Sequence, residues 1–535
     1  MHHFVSTSAE HSPAESFALK GGEGAPKGRV PEDWFFRFGF GPAEAPRFAT
    51  ILDGFAHFAA HQPDAVAVEC GTETITYGAL DAAASRLAYR LAEAGIGHGD
   101  AVGLYLKRSI PMVVGILACM KVGAFYVPQH VGVATDKTLL HISRVTKARV
   151  VLTFEALADK VPLAEGQRLI NLEDQLCALN APEFRAPSPL APDDLCMVLF
   201  TSGTTGVPNG VQVTHKNLCN ILQTAPGDLG MRPGLRVGQI LSIAFDMAAW
   251  ETLGALSNGA TLVIRGRDIQ ETASRVDVLI ATPSIMASLD DSACRQVKTV
   301  AVAGEPCPRP LADKWGSFCD FYNSCGPTET TIINTAMLHR PEKADLTIGK
   351  PTPNNTVYVL DENLNPLPFG ERGVMWAGGD CVTAGYIANP DLNAERYRPD
   401  PFRPGHMMFN TRDLGAWTET GELLHFGRVD DLVKIRGFRV ELDGVSRALE
   451  GTEGCEQAVT LKYDDRTLVA FVSPASVCPA EALRSVETSL PYYCCPKVVL
   501  PIDALPKTAR GKLDKRLLLQ LAAEVLTETS LEAAE

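Results

Sequence analysis

The chain has 535 residues, 46% of them hydrophobic, and a net charge of -14 from 63 Asp and Glu against 49 Lys and Arg. That length supplies core for roughly two to four domains, while the acidic balance, with no basic block interleaved with aromatics, excludes nucleic acid and anionic membrane as natural partners. The longest apolar run, Ile110 to Met120, is too short to span a bilayer before Lys121 interrupts it, and the start MHHFVSTSAEHSPAES lacks a leader pattern. A soluble, cytoplasmic protein is expected. Its 14 cysteines include no C-x-x-C pair and its 12 histidines no H-E-x-x-H, so they are expected as buried hydrophobes and solvated helix faces with no transition-metal site.

In chain order, residues 1–45 are rich in Gly, Pro, Ser and Glu without periodicity, a flexible tail that begins to pack only near Trp34, Phe35, Phe36 and Phe38. VAVE and ETITY then read as a hairpin, and Leu80, Ala84, Leu87 and Leu91 mark one helical face. VGLYL, a buried helix over Pro111 to Val122, and RVVLTF continue in strand–helix–strand order. The alternation recurs through LCMVLF, LVIRG, VLIATP, VKTVAVAG and FCDFYNS, predicting an α/β domain with a mainly parallel sheet. Between about 350 and 425, short strands punctuated by Pro and Gly predict a β subdomain. After GRVDD, helix, two strands and helix follow. The predicted organisation is a large domain over 46–426 and a small α+β domain over 427–535, with a hinge near Asp430 and Asp431.

Among the segments that carry chemistry, LFTSGTTGVPNG (199–210) breaks an apolar strand into glycines and hydroxyls whose N–H and O–H groups can surround a phosphate. It lacks Walker spacing, and Val211 to Thr214 continues as a strand where a Walker loop needs a helix. YNSCGPTETT (322–331) places a Gly-Pro turn before Thr and Glu. FNTRDLGAW (409–417) presents Asp413, an acceptor suited to ribose hydroxyls, and GRVDDLVKIRGFRVEL (427–442) and LPKTARGKLDKRLL (505–518) supply cations. Each alone reads as a solvated turn, a cap or a charged surface.

Together and in this order, with ITYGAL, MKVGAFYVP, FDMAAWE and AGYIANPDLNAERY, they resemble the adenylate-forming superfamily over about Phe55 to Leu519. The likeness is greatest to the amino-acid adenylation domains of non-ribosomal peptide synthetases, with their reductase-linked and stand-alone relatives. The resemblance implies ATP- and Mg²⁺-dependent conversion of a carboxylic acid to an acyl-AMP with release of pyrophosphate, then transfer to a phosphopantetheine thiol. It implies that Thr201, Ser202, Gly203, Thr204, Thr205 and Gly206 cradle the β- and γ-phosphates, Asn323 binds the adenine amino group, Thr328 contacts the α-phosphate and Glu329 holds Mg²⁺. Asp413 would bind the ribose, Arg428 would sit against the nucleotide, and Lys512 would bridge carboxylate and phosphate in the first step. Rotation about Asp430 and Asp431 would then withdraw Lys512 and admit the thiol. Asp246 would bind a substrate ammonium, with Met247, Trp250, Ile280, Ala301, Ala303, Ser324, Ile332 and Ile333 completing an acid pocket. Apart from the Ser324 hydroxyl and the Trp250 indole N–H that pocket is apolar, which implies a neutral, apolar α-amino acid.

Three departures from the family pattern stand out. Asn209 replaces a lysine in the phosphate loop, Arg412 replaces the glycine before the ribose-binding aspartate, and Cys325 replaces the aromatic residue expected against adenine. Arg412 restores the missing cation if it points inward. No carrier, reductase or thioesterase segment follows LPKTARGKLDKRLL, so a carrier protein in trans is the expected acceptor. A free-standing acyl- or aryl-CoA ligase and a catalytically degenerate nucleotide-binding protein are the alternatives.

Overall fold

A computed structural model describes residues 33–131, 134–173, 184, 188–201, 207–429, 432–506 and 513–532. Alternating strand and helix patterns assemble two main sheets. In the first, the strands Arg168–Asn171, Val150–Thr153, Ala101–Tyr105, Phe125–Gln129, Leu195–Thr201 and Asn209–Thr214 lie in that order, parallel except for the last pair. In the second, Lys350–Pro351, Thr335–His339, Asp320–Cys325, Thr299–Val302, Val278–Ala281, Arg236–Gln239, Thr261–Ile264, Val66–Cys70 and Glu73–Thr76 lie in that order, with a parallel centre and antiparallel edges. Strands buried on both faces read as continuous apolar runs, which is why VLIA and TVAV show no alternation.

Helices fill the space between the sheets. In Tyr77–Glu93 the face bearing Leu80, Ala84, Leu87 and Leu91 is fully buried, and Thr76 caps its start by accepting from the Ala79 N–H. Each such leucine contributes about 1.5–3 kcal/mol of burial. Ile110–Lys121, buried along Met112 to Met120, lies against it. The β subdomain forms from Asn355–Leu360, Gly373–Gly379, Met407–Trp417, Tyr397–Pro399 and Leu423–Arg428. The smaller C-terminal unit has its own apolar cluster of Val440, Val445, Leu449, Ala470, Val472 and Val486. The architecture is α/β, a large N-terminal part with a β subdomain followed by a smaller α+β part.

Order begins earlier than a tail over 1–45 would have it. Residues 1–32 lie outside the described residues, but Asp33–Gly39 is a helix whose Phe35 is buried with its ring 5.3 Å from that of Tyr358 in the β subdomain. Four aromatics within WFFRF outweigh the Gly and Pro around them, because each aromatic ring buries a large apolar area.

Candidate active site

The carboxyl ends of the central strands of the second sheet open into a cleft of about 830 Å³, walled on the other side by the C-terminal unit. At its wall stands Asp246, the first residue of helix Asp246–Ser257. One oxygen, Oδ1, accepts the Met247 N–H at 2.7 Å and the other, Oδ2, accepts the Thr328 hydroxyl at 2.7 Å. Burial raises its carboxyl above the usual range, opposed by the Thr328 and Met247 donors and the Lys434 cation, and reinforced by the negative charge of Glu329. A carboxylate so placed is stabilised by a further cation.

Around it, Met247, Ala303, Ser324 and Ile332 also line the cleft. Trp250, Ile280, Ala301 and Ile333 are fully buried in the main core and are not among its lining residues. The Trp250 indole N–H donates to the Gly227 carbonyl at 2.6 Å, so it is spent inside the fold. Ile332 has φ +73° and Thr331 φ +53°, a left-handed pair. For a β-branched residue that costs about 1–3 kcal/mol, held here by the surrounding packing. Gly326 is required just before it, since a Cβ there would stand 2.6 Å from Ile333 Cα.

The side of the cleft expected to take the nucleotide gathers Asn323, Cys325, Thr328, Asp413, Arg428 and Thr201. Asn323 Nδ2 donates to the Thr347 carbonyl at 2.7 Å, which leaves its Oδ1 as the acceptor. Asp413 is buried and faces Arg428 across the strand pair, Nη1 to Oδ1 2.8 Å, with His425 Nε2 at 3.7 Å. Cys325, Asp413 and His425 place ligand atoms within 4.8 Å of one another. His425 Nδ1, however, accepts the Gly427 N–H, which puts the ring proton on Nε2 toward Asp413. Burial pushes the Cys325 thiol up to about 12, with Asp413 adding to the shift, so it offers a neutral sulfur. Glu329 is fully buried and accepts the Tyr386 hydroxyl at 2.6 Å. It is not among the residues that line the cleft.

Both substituted positions near the phosphate loop contact one short helix, Pro390–Arg396, and its cap. Asn209 Oδ1 accepts from Asn389 Nδ2 at 3.0 Å, and the Arg412 guanidinium is ion-paired with Glu395. Arg412 has φ +58°, the backbone reason for a glycine there. Ser202, Gly203, Thr204, Thr205, Gly206, Asp430, Asp431 and Lys512 lie outside the described residues.

Several residues emerge only from the structure. Lys434, in the strand Leu432–Ile435, reaches the cleft, its Nζ 3.5 Å from where a Gly304 Cβ would be. Phe438 beside it packs on Phe245, centroids 5.3 Å apart, and stacks on Tyr493 at 4.2 Å. Behind Asp246, fully buried Glu251 accepts the N–H groups of Ile240 and Leu241 and the Gln239 amide, with Arg108 nearby. The basic run VKIR hinted at Lys434, but the aromatic seam has no sequence signal beyond its ring content.

Known proteins match this fold. The AMP-binding enzyme family matches residues 55–387, and the chain belongs to that family. It is 45% identical over 92% of its length to adenylate-forming reductase 06235 of Coprinopsis cinerea, covering 48% of that protein. It is 35% identical over 89% of its length to the phosphinothricin tripeptide synthetase PhsC of Streptomyces viridochromogenes, covering 46% of it. The chain spans about half the length of these curated relatives. Among solved structures, NpsA-ThdA, an artificially fused adenylation-PCP di-domain from Klebsiella oxytoca, shares the fold with TM-score 0.76 at 23% identity, covering 91% of this chain and 98% of that one. The o-succinylbenzoate CoA synthetase of Bacillus subtilis does so with TM-score 0.77 at 21% identity, covering 86% and 97%.

Proposed function

We propose that this protein activates a neutral α-amino acid as its acyl-AMP and passes the acyl group to a phosphopantetheine thiol of a carrier protein. The observation that carries this reading is the Asp246–Thr328 hydrogen bond at 2.7 Å inside the cleft. It sets Asp246, which would accept an ammonium, beside the Thr328 hydroxyl, which would touch the α-phosphate, and this closeness supports an attack of carboxylate on phosphorus. Asn323 would accept the adenine amino group through Oδ1, Asp413 would accept the ribose hydroxyls, and Arg428 would offset charge beside it. Thr201 to Gly206 would hold the β- and γ-phosphates. Glu329 would hold Mg²⁺, which when bound offsets phosphate charge. Lys512 would orient the substrate carboxylate and stabilise charge developing on phosphate oxygens. The small unit, 427–535, would turn about Asp430 and Asp431 between the two half-reactions.

A pyrophosphate-exchange screen across amino, aryl and fatty acids tests the reading. Amino acids are expected to support exchange, and Asp246→Ala to abolish it, since an uncompensated ammonium in a buried site costs several kcal/mol. An aryl or fatty acid as best substrate, with amino acids inert, refutes it in favour of an acyl- or aryl-CoA ligase.

A further inference from the structure

Resting on that reading, we infer that the activated acid is a hydroxyl-bearing amino acid of the serine–threonine kind, its side-chain hydroxyl hydrogen-bonded to Ser324. Ser324 is 5% exposed and lines the cleft, and its Oγ is buried without any hydrogen-bond partner. A buried hydroxyl left without a partner costs about 1–3 kcal/mol, so an orphaned one in a binding cleft marks a ligand group that completes it. Its neighbours give it no internal solution. On the adjacent parallel strand Val302 is in register with Asn323, which sets apolar Ala303 beside Ser324 at the strand ends. Met247 and Ile332 supply the remaining apolar wall.

The other polar group aligned to this pocket, the Trp250 indole N–H, is already used by Gly227, so Ser324 carries the polar discrimination there. Glu305 Oε1 and His130 Nδ1 are also buried in the cleft wall without partners. Glu305 faces the C-terminal unit instead, its Oε1 3.2 Å from where a Gly437 Cβ would be.

Threonine and valine form the decisive pair, since they differ by hydroxyl against methyl at nearly constant shape. In pyrophosphate exchange, kcat/KM for threonine is expected to exceed that for valine by roughly 10- to 100-fold, and serine to exceed alanine similarly. Ser324→Ala should lower threonine use relative to valine use by about the same factor and bring the ratio near one. A general packing role for Ser324 would lower both substrates together, so the ratio separates the two roles. Valine equal to or better than threonine in the parent, or a ratio unmoved in Ser324→Ala, overturns this inference while leaving amino-acid activation standing. Exchange with aryl or fatty acids alone overturns both.

Discussion

Replacing Thr328 by valine deletes the hydroxyl that donates to Asp246 Oδ2 at 2.7 Å while keeping the side chain's volume. A hydrogen bond to an ionised group contributes about 1.5–3 kcal/mol. Losing the bond should therefore raise the Asp246 carboxyl further above the elevation that burial already causes. The sign follows from the proposed chemistry. An ammonium pairs only with the ionised form, so kcat/KM for the amino acid falls as pH drops through the free-enzyme pKa of Asp246, and the variant's acid limb moves toward higher pH. The assay is pyrophosphate exchange across about pH 5 to 9, with Thr328→Ser as the control that keeps the donor. A fall in the plateau rate reports any contact with the α-phosphate separately from the limb. If the valine and serine variants share one acid limb, Thr328 does not stabilise the ionised Asp246, or Asp246 is not the group that governs binding.

Arg412→Gly relieves a left-handed backbone that costs a side-chain-bearing residue about 1–2 kcal/mol and loses an ion pair to exposed Glu395 worth about 0.2–1 kcal/mol, so thermal unfolding should show equal or greater stability. Because Arg412 is paired with Glu395, its effect on exchange should add to that of Asn209→Lys in a double-mutant cycle; a coupling above about 0.5 kcal/mol would mean that Arg412 serves the phosphates after all. Glu251→Gln keeps one oxygen for the Ile240 and Leu241 N–H groups but sets an amide NH₂ where Oε2 accepts the Gln239 amide, and should lower unfolding free energy in urea by about 1–3 kcal/mol, no measurable change refuting its bracing role.

How far the sequence reached depends on the range of the interaction. Leu80, Ala84, Leu87 and Leu91 announce their helix because the periodicity is local, and VAVE and ETITY announce their hairpin for the same reason. Asp246 is legible through the FDMAAWE motif, but its bond to Thr328 joins residues 82 apart and depends on where two chain segments meet at the cleft. The Trp250 indole belongs with the pocket by motif, yet a carbonyl 23 residues away turns its N–H into the fold. Arg412 stood as a substitute cation on charge alone, and only the position of Glu395 on a neighbouring helix shows that it forms an ion pair there. Lys434 likewise reads as one of many surface cations until the strand pair Leu432–Ile435 and Phe438–Glu441 carries it into the cleft.

Two carboxylates on one helix show how environment divides labour among like groups. Asp246 opens the helix and faces the cleft, whereas Glu251, five positions on, is fully buried, and burial pushes its carboxyl up to about 8 against the N–H groups of Ile240 and Leu241, Arg108 and Gln239. Its acceptors are consumed by the backbone that leaves the strand Arg236–Gln239, the same backbone that runs through Ser242 and Phe245 to Asp246. Glu251 therefore fixes the path of the segment that delivers Asp246, while Asp246 keeps the polar contacts that a ligand can exchange. The Phe245 ring, next to Asp246 in sequence, packs on Phe438 of the C-terminal unit. The aspartate is thus anchored from behind by a buried, hydrogen-bonded carboxyl group and from in front by an aromatic contact with the C-terminal unit. Movement of that unit would loosen the second restraint and leave the first untouched, so the acid site would keep its geometry while its entrance changes.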